Sequence, residues 1–277
     1  LMSVTAKQVQ DLRKMSGAGM MDCKAALAEN NADIDLAFQW LREKGIAKAQ
    51  KKSSRDANEG LISVMSNAVG TAIVEINSET DFVSRNNDFH LLVKNITKLI
   101  LDSKNDFDSV KDEISNIIND AIGVIGENIV FKRSNYIEGN TYSYVHNSLG
   151  ENLGKIGVIL TLETEKDIDL KDIGKNICMH IAASSPKSLD EKTLDSDIIE
   201  AEKNIIKEQL KETGKPDDII EKMLNGKMNK FFEEVVLLNQ KYVIDPSLTI
   251  SKLLENISSE METKVTINSF TRYELGQ

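Results

Sequence analysis

Residues 78–88 read SETDFVSRNND, a polar stretch with one aromatic-aliphatic pair, Phe82 and Val83, at its centre. The segment before it, residues 71–77 (TAIVEIN), is β-branched and apolar, which is typical of a buried strand. The polar stretch is therefore predicted to be a loop that joins a buried strand to an amphipathic helix. That helix is indicated by apolar residues at helical spacing, namely Phe89, Leu92, Val93, Ile96, Leu99 and Ile100.

Phe82 has two interpretations from its neighbours alone. A large apolar residue just before a helix can fold back onto the first turn, which would make Phe82 an internal plug. An aromatic side chain among acids, amides and hydroxyls can also stay exposed as an anchor for a partner protein. The residues of the loop do not choose between these two roles.

The composition predicts a soluble chain of more than one domain. The 277 residues are 28% charged and 40% hydrophobic, and the formal net charge is -10. No apolar run approaches the roughly 18–20 residues of a membrane span, and the start lacks a basic-then-apolar signal, so we expect a cytoplasmic protein that does not bind membranes. The negative charge argues against direct nucleic-acid binding. Cys23 and Cys178 lie in separate segments without a CxxC pattern, which predicts neither a disulfide nor a zinc site.

Residues 4–46 predict a bundle of three short helices. Thr5 can cap the first helix, and Gly45 is predicted to end the third. The basic segment 48–55 (KAQKKSSR) then reads as a linker or a frayed helix end. We interpret its charge as solvated, since no aromatic residue is interleaved with it. The predicted N-terminal domain is therefore residues 1–52.

An internal repeat follows this segment. The order strand, strand, loop, helix occurs twice, which predicts an α+β protein with two similar lobes, residues 53–138 and 139–277. The first copy takes residues 61–66, 71–77 and 89–101, and the second takes residues 142–146, 156–162 and 173–183. Between the copies, a further amphipathic helix is predicted to end at Gly123 and to be followed by a short strand to Arg133.

The second lobe is predicted to carry an inserted helical hairpin, residues 195–232. Gly214-Lys215-Pro216 separates its two helices, because Gly is common just after a helix end and Pro is common at a helix start. The hairpin can pack on its lobe or project from it as a short coiled coil, and it is a candidate surface for a homodimer. The side chains predicted to face inward on its first helix are Ile198, Ala201, Ile205 and Leu210.

No constellation for catalysis is found in the sequence. His180 lies on an apolar helix and is interpreted as a satisfied core histidine. Neither His90 nor His146 is near a Ser or Cys in a nucleophile motif, and there is no phosphate loop of the GxxxxGK[ST] kind. The sequence therefore predicts a protein that is not an enzyme and has no cofactor or metal.

Five collinear motifs resemble the elongation factor Ts family. They are residues 15–27 (MSGAGMMDCKAAL), 80–83 (TDFV), 125–128 (IGEN), 179–183 (MHIAA) and 214–216 (GKP). The resemblance implies a guanine-nucleotide exchange factor for the GTPase elongation factor Tu in translation. It also implies that the N-terminal bundle is a domain similar to ubiquitin-associated (UBA) domains.

The resemblance implies the partner-binding residues by their positions in these motifs. Asp81 and Phe82 would enter between two helices of the partner's G domain and disturb its Mg²⁺ and phosphate site, which makes Phe82 an anchor. The bundle would contact the same domain, and a second group would hold another partner domain. The full set is Met20, Met21 and Lys24 on the bundle, Thr80, Asp81, Phe82 and Val83 in the loop, Ile125 and Gly126 near it, and His146, Val243 and Ile244 in the second lobe.

A function of another class stays open. The small bundle could belong to a translation- or chaperone-associated scaffold that binds a peptide. Such a scaffold would bind its partner without accelerating nucleotide release, so the rate of GDP dissociation separates the two hypotheses.

Overall fold

The computed structural model describes residues 4–277. Residues 1–3 of the predicted N-terminal domain therefore lie outside the described part. The mixture of helices and strands confirms the predicted α+β class. The helices are α1 (Ala6–Ser16), α2 (Met20–Glu29), α3 (Ile34–Lys52), α4 (Asp81–Ser84), α5 (Asn87–Asp102), α6 (Phe107–Ile125), α7 (Lys171–Ser184), α8 (Ser196–Lys211), α9 (Asp217–Val235) and α10 (Ile250–Glu260). The strands are β1 (Glu59–Ser66), β2 (Gly70–Ser78), β3 (Ile129–Glu138), β4 (Thr141–His146), β5 (Leu153–Gly154), β6 (Ile156–Thr164) and β7 (Val265–Glu274).

The chain divides into two compact units. Unit 1 contains the described residues from Val4 to Tyr136, together with Asn147–Lys155 and Tyr273–Gln277. Unit 2 contains Ile137–His146 and Ile156–Arg272. Within the described residues, no helix has both the length and the apolar character needed to cross a membrane.

Unit 1 is built on a four-stranded sheet in the order β3-β2-β1-β5. β1 and β2 pair antiparallel from Glu59 opposite Ser78 to Ser66 opposite Thr71. Every residue of β2 is buried, as its β-branched sequence predicts for a strand covered on both faces. The buried face of α5 shares one apolar core with these strands.

The N-terminal bundle packs around a small core of its own. α1 is capped by Thr5, whose hydroxyl accepts a hydrogen bond from the amide of Gln8. α1 ends at Gly17, which has a left-handed φ of 68° that favours glycine. The core residues are Leu12, Cys23, Ala26, Leu27 and Ala37.

The predictions that Gly45 and Gly123 end helices are wrong. α3 continues through Gly45 to Lys52, and α6 continues through Gly123 to Ile125. A Cβ on Gly123 would lie 3.2 Å from the Cα of Gly45. The two glycines therefore mark a close crossing of α3 and α6, and α6 ends instead at Gly126, whose φ is 86°.

Of the two interpretations of the basic segment, the helix end is confirmed for residues 48–52, which form the end of α3, and the linker is wrong there. Ala49 is buried in the apolar core that also contains side chains of the sheet. This packing explains why the bundle and the first sheet form one compact unit, whereas the sequence places a domain boundary at residue 52. The strand predicted to stop at Arg133 also continues, as β3, to Glu138.

Unit 2 contains a three-stranded sheet in the order β4-β6-β7. β4 and β6 pair antiparallel from Thr141 opposite Thr161 to His146 opposite Ile156. α7 packs on both strands, so the strand, strand, helix arrangement of unit 1 recurs here. α10 shares the same apolar core through Ile250.

The hairpin of α8 and α9 has a separate apolar cluster within unit 2. Ile206 and Leu210 of α8 pack with Leu224 and Met228 of α9. Of the four residues predicted to face inward, Leu210 is buried as predicted, whereas Ala201 and Ile205 are exposed, so the predicted face is wrong for the earlier turns of α8. The stripe that packs lies one residue later along the helix.

Candidate partner-binding site

Phe82 lies on α4, a single helical turn between β2 and α5. Its side chain is 80% exposed, the highest value among the large apolar residues of the described chain. Val83 is only 8% exposed and belongs to the core of unit 1. The interpretation of Phe82 as an internal plug is therefore wrong, and Val83 occupies that position.

Hydrogen bonds fix the end of this turn that leads into α5. The Ser84 hydroxyl donates to the carbonyl oxygen of Asp81 at 2.7 Å. His90 Nε2 lies 2.8 Å from the Ser84 carbonyl oxygen, so that nitrogen carries the proton. Asn86 then caps α5 by accepting from the amide of Asp88.

Glu127 holds the end of the turn that leads out of β2. The Thr80 amide donates to Glu127 Oε2 at 3.0 Å, and the Thr80 hydroxyl donates to Oε1 at 2.6 Å. Both donors of Thr80 are therefore used within unit 1. Its hydroxyl does not cap α4, although Thr80 occupies the N-cap position.

A second set of contacts, made by Glu79, lies beside the Thr80–Glu127 contact. Glu79 Oε1 accepts from the Asn128 amide at 2.7 Å and lies 3.5 Å from the Arg55 guanidinium. The Asn128 side chain, which is buried, donates to the Arg55 carbonyl oxygen at 2.7 Å. Residues 79 and 80 are thus bound to two consecutive residues that follow α6.

Asp81 points to solvent beside Phe82. Its carboxylate forms an ion pair with Arg85 at 3.5 Å, with side-chain exposures of 47% and 68%. Exposed pairs of this kind contribute little, about 0–1 kcal/mol. Asp81 can therefore exchange Arg85 for another partner at small cost.

Ile125 and Gly126 end α6 and precede Glu127. Ile125 is partly buried against the core of unit 1, whereas Gly126 is exposed. The Lys52 ammonium donates to the Gly126 carbonyl oxygen, which ties the end of α3 to the end of α6. The Glu127–Thr80 contact brings this segment beside the Phe82 turn.

Met20, Met21 and Lys24 are exposed on the first turns of α2, and the exposed fractions of the two methionines are 59% and 75%. Met20 and Lys24 also line a shallow groove whose apolar wall includes Val9 of α1. The bundle thus presents flexible apolar side chains with an adjacent positive charge.

The residues predicted in the second lobe lie on separate elements of unit 2. His146 is exposed at the end of β4, with its Nδ1 3.0 Å from the Tyr144 hydroxyl. Val243 and Ile244 are 50% and 55% exposed in the segment after α9. These three side chains are therefore accessible to a partner.

His180 is buried and forms a hydrogen bond with the backbone of that segment. Its Nδ1 accepts from the Val243 amide at 3.2 Å, and its Nε2 lies 3.0 Å from Gln240 Oε1. Burial lowers the pKa of His180, partly opposed by the hydrogen bond to Gln240. The neutral ring with a proton on Nε2 satisfies both contacts, and His180 is a buried, hydrogen-bonded histidine as predicted.

Sequence reasoning missed four residues that shape the site: Arg55, Glu79, Glu127 and Asn128. Glu127 and Asn128 belong to the IGEN motif, but no periodicity in the sequence indicates that they contact residues 79 and 80. Among residues 4–277, no group of three or more His, Cys, Asp or Glu side chains could hold a metal ion.

Comparison with known proteins places these features in a family. The family model described as Elongation factor TS matches residues 79–277. A protein named Elongation factor Ts from Bartonella tribocorum is 47% identical over all of this chain and 94% of its own length. Proteins of the same name from Paracoccus denitrificans and Agrobacterium fabrum are 46% and 43% identical, over 100% and 99% of this chain and 93% of each relative. The chain therefore belongs to the elongation factor Ts family.

Proposed function

We propose that this protein is a guanine-nucleotide exchange factor that binds elongation factor Tu in complex with GDP and promotes GDP release during translation elongation in the cytoplasm. Family membership supports this activity. One observation carries it: Phe82 is 80% exposed on a turn that hydrogen bonds fix at both ends. An exposed aromatic residue on a rigid support suits insertion into a pocket of a partner.

Insertion of Phe82 supplies free energy for opening the nucleotide site. Burying about 150–200 Å² of apolar surface contributes roughly 4–5 kcal/mol before ordering costs, at about 25 cal/mol per Å². GTPases hold Mg²⁺ through a Ser or Thr hydroxyl and a carboxylate beside the amides that bind phosphate. A small displacement there weakens nucleotide binding, and the Asp81 carboxylate would enter the same region with a negative charge.

The other exposed residues would hold the partner without opening it. Met20, Met21 and Lys24 would contact the G domain from a bundle that we propose to be UBA-like. Val243 and Ile244, with His146, would contact a second domain. Contacts that are equally strong with the GDP-bound and the nucleotide-free partner increase the affinity for this protein. They do not make binding of this protein and binding of GDP oppose each other.

The test is release of fluorescent GDP from elongation factor Tu, measured with and without this protein. We expect faster release at amounts of this protein well below those of the GTPase. Lys24→Ala should weaken binding to the GDP-bound and nucleotide-free partner alike. Binding without any acceleration would instead favour the scaffold hypothesis.

We propose further that the α8–α9 hairpin is dispensable for exchange and serves either self-association or a secondary contact. Its apolar cluster is separate from the core that α7 and α10 share, which supports its removal without loss of the rest of unit 2. Replacing residues 195–232 by a short Gly/Ser linker should leave the exchange rate within several-fold of the parent. Complete loss of exchange by a folded deletion variant would contradict this.

A further inference from the structure

The short turn that carries Phe82 has little stability of its own. α4 has four residues, so it makes few internal hydrogen bonds. Thr80 precedes it and directs both of its donors to one carboxylate, Glu127, which lies 47 residues later in the chain. Glu127 therefore fixes the backbone two residues before the exposed ring.

Two pairs of contacts, Thr80 with Glu127 and Glu79 with Asn128, hold the two segments together, and we call them the clamp. Glu79 accepts from the Asn128 amide, so residues 79–80 and 127–128 bind each other at two consecutive positions. A carboxylate that accepts two hydrogen bonds holds both donors in a defined direction, and such charge-assisted bonds are short and strong.

We propose that Glu127 is a positioning residue for nucleotide exchange, which acts through Thr80 to keep Phe82 oriented for insertion; this inference rests on the proposed function. A side chain already held in its bound direction loses less conformational freedom on binding. Glu127 would therefore raise the exchange rate without contacting the nucleotide site of the partner.

Two substitutions separate positioning from a direct charge effect. Glu127→Ala removes both acceptors. Glu127→Gln keeps the shape, because its amide oxygen can accept from the Thr80 amide while its NH₂ donates to the Thr80 hydroxyl. Positioning predicts that Glu127→Ala slows exchange roughly tenfold or more, and that Glu127→Gln stays within about threefold of the parent. Glu113→Ala is the matched control, since Glu113 is exposed on α6 and carries the same charge.

A measurement on the free protein tests the clamp without the partner. Hydrogen–deuterium exchange of the Thr80 amide should be at least about tenfold faster in Glu127→Ala and close to the parent in Glu127→Gln and Glu113→Ala. Thermal unfolding of Glu127→Ala and the parent is compared to confirm that both are folded. Unchanged protection of Thr80 in Glu127→Ala would overturn the proposal.

The final experiment is a double-mutant cycle with Phe82→Ala in the GDP-release assay. If Glu127 acts through Phe82, adding Glu127→Ala to Phe82→Ala should slow exchange by less than about twofold further. A full additional loss, or equal impairment by Glu127→Gln and Glu127→Ala, would overturn the positioning role. If the parent itself does not accelerate GDP release, the proposed function fails. If the parent does so and Glu127→Ala matches it, only the role of Glu127 fails.

Discussion

Phe82 and Val83 are consecutive residues with opposite surroundings, and the geometry of α4 explains the difference. Neighbouring side chains on a helical turn point about 100° apart, so only one of the pair can face the core of unit 1. Val83 takes that place, while Phe82 is directed to solvent. Val83 therefore contributes to the stability of unit 1, and Phe82 is left free for the partner contact that we propose.

This division predicts different outcomes for two truncations. Phe82→Ala should change the free energy of unfolding by less than about 0.5 kcal/mol, because the ring is exposed. Val83→Ala should cost about 2 kcal/mol through lost burial. Urea unfolding of the free variants checks both values.

Phe82→Ala should also reduce the coupling between GDP and this protein on elongation factor Tu. If Phe82 supplies about 2 kcal/mol, the coupling falls roughly thirtyfold, at about 1.4 kcal/mol per tenfold. The measurement is the affinity of parent and variant for the GTPase with and without GDP. Equal losses in both conditions would show that Phe82 only anchors the complex.

His180 makes the stability of unit 2 depend on pH. Its pKa is lowered from 6.5 by burial, so below pH 6.5 the unfolded chain binds a proton that the folded ring resists. The stabilising contribution is therefore complete above pH 6.5 and falls as the pH drops toward the folded pKa. In urea unfolding between about pH 8 and about pH 5, the parent should lose more stability than His180→Gln. Parallel pH profiles would contradict this.

At the scale of elements, the crossing of α3 and α6 depends on two glycines. A glycine near the end of an apolar pattern predicts a helix end, but the same residue also permits close approach of two backbones. A Cβ on Gly123 would lie 3.2 Å from the Cα of Gly45, which is backbone and cannot turn aside, whereas a Cβ on Gly45 would lie 3.4 Å from the Asn119 carbonyl oxygen, close to ordinary contact. The sequence does not show whether such a glycine ends a helix or permits a close helix crossing. The tertiary packing does.

A matched pair of substitutions tests this crossing. Gly123→Ala gains the same helix propensity as any Gly→Ala change in a helix, but its methyl group overpacks against the Gly45 backbone, so we expect a net destabilisation of up to about 2 kcal/mol. Gly226→Ala on α9 has open space around it, so it should stabilise by up to about 1 kcal/mol through helix propensity. Thermal unfolding of both variants gives the comparison, and a neutral Gly123→Ala would show that the helices can separate.

The buried face of an element can be predicted when its sequence has a single run or stripe of apolar residues. It cannot be predicted when the sequence has two such stripes. β2 and α5 each have a single face or run that can be buried, and both were predicted close to their observed bounds. In α8, Ile198 and Ile205 form one stripe, while Ile199 and Ile206 form another shifted by one residue. The second stripe is the one that packs against α9. The sequence of α8 alone does not indicate which stripe makes this contact.

The candidate site shows the same limit. Phe82 stands out in its polar loop, so it could be named from the sequence together with the family resemblance. The contact between Thr80 and Glu127 depends on how α6 ends and β3 begins, and no local pattern indicates it.

At the scale of the whole molecule, a buried carboxylate joins distant parts of unit 1. Glu75, at the centre of β2, is fully buried and accepts from Arg133 Nε at 2.7 Å. Its other oxygen accepts from the Gly276 amide and the Asn77 side chain, both at 3.1 Å. Such a charge is tolerated in a core because every partner is in place.

Removing one partner should therefore be costly. Arg133→Met is expected to destabilise unit 1 by about 3 kcal/mol, because the buried Glu75 carboxylate loses its counter-ion and keeps only two uncharged donors. The double variant Glu75→Gln/Arg133→Met should recover part of this loss, since the buried charge is gone. Urea unfolding of the single and double variants provides the cycle. A double variant that is less stable than Arg133→Met alone would contradict the interpretation.

The bond between Glu75 and Gly276 spans 201 residues, and this separation affects the order of events during synthesis. At about 5–20 residues per second, the ribosome adds Gly276 roughly 10–40 s after Glu75. Throughout that interval the central strand of unit 1 lacks one hydrogen-bond donor for its buried charge. Synthesis of unit 1 therefore begins before that of unit 2, but the Glu75–Gly276 bond can form only after every residue of unit 2 has been added to the chain.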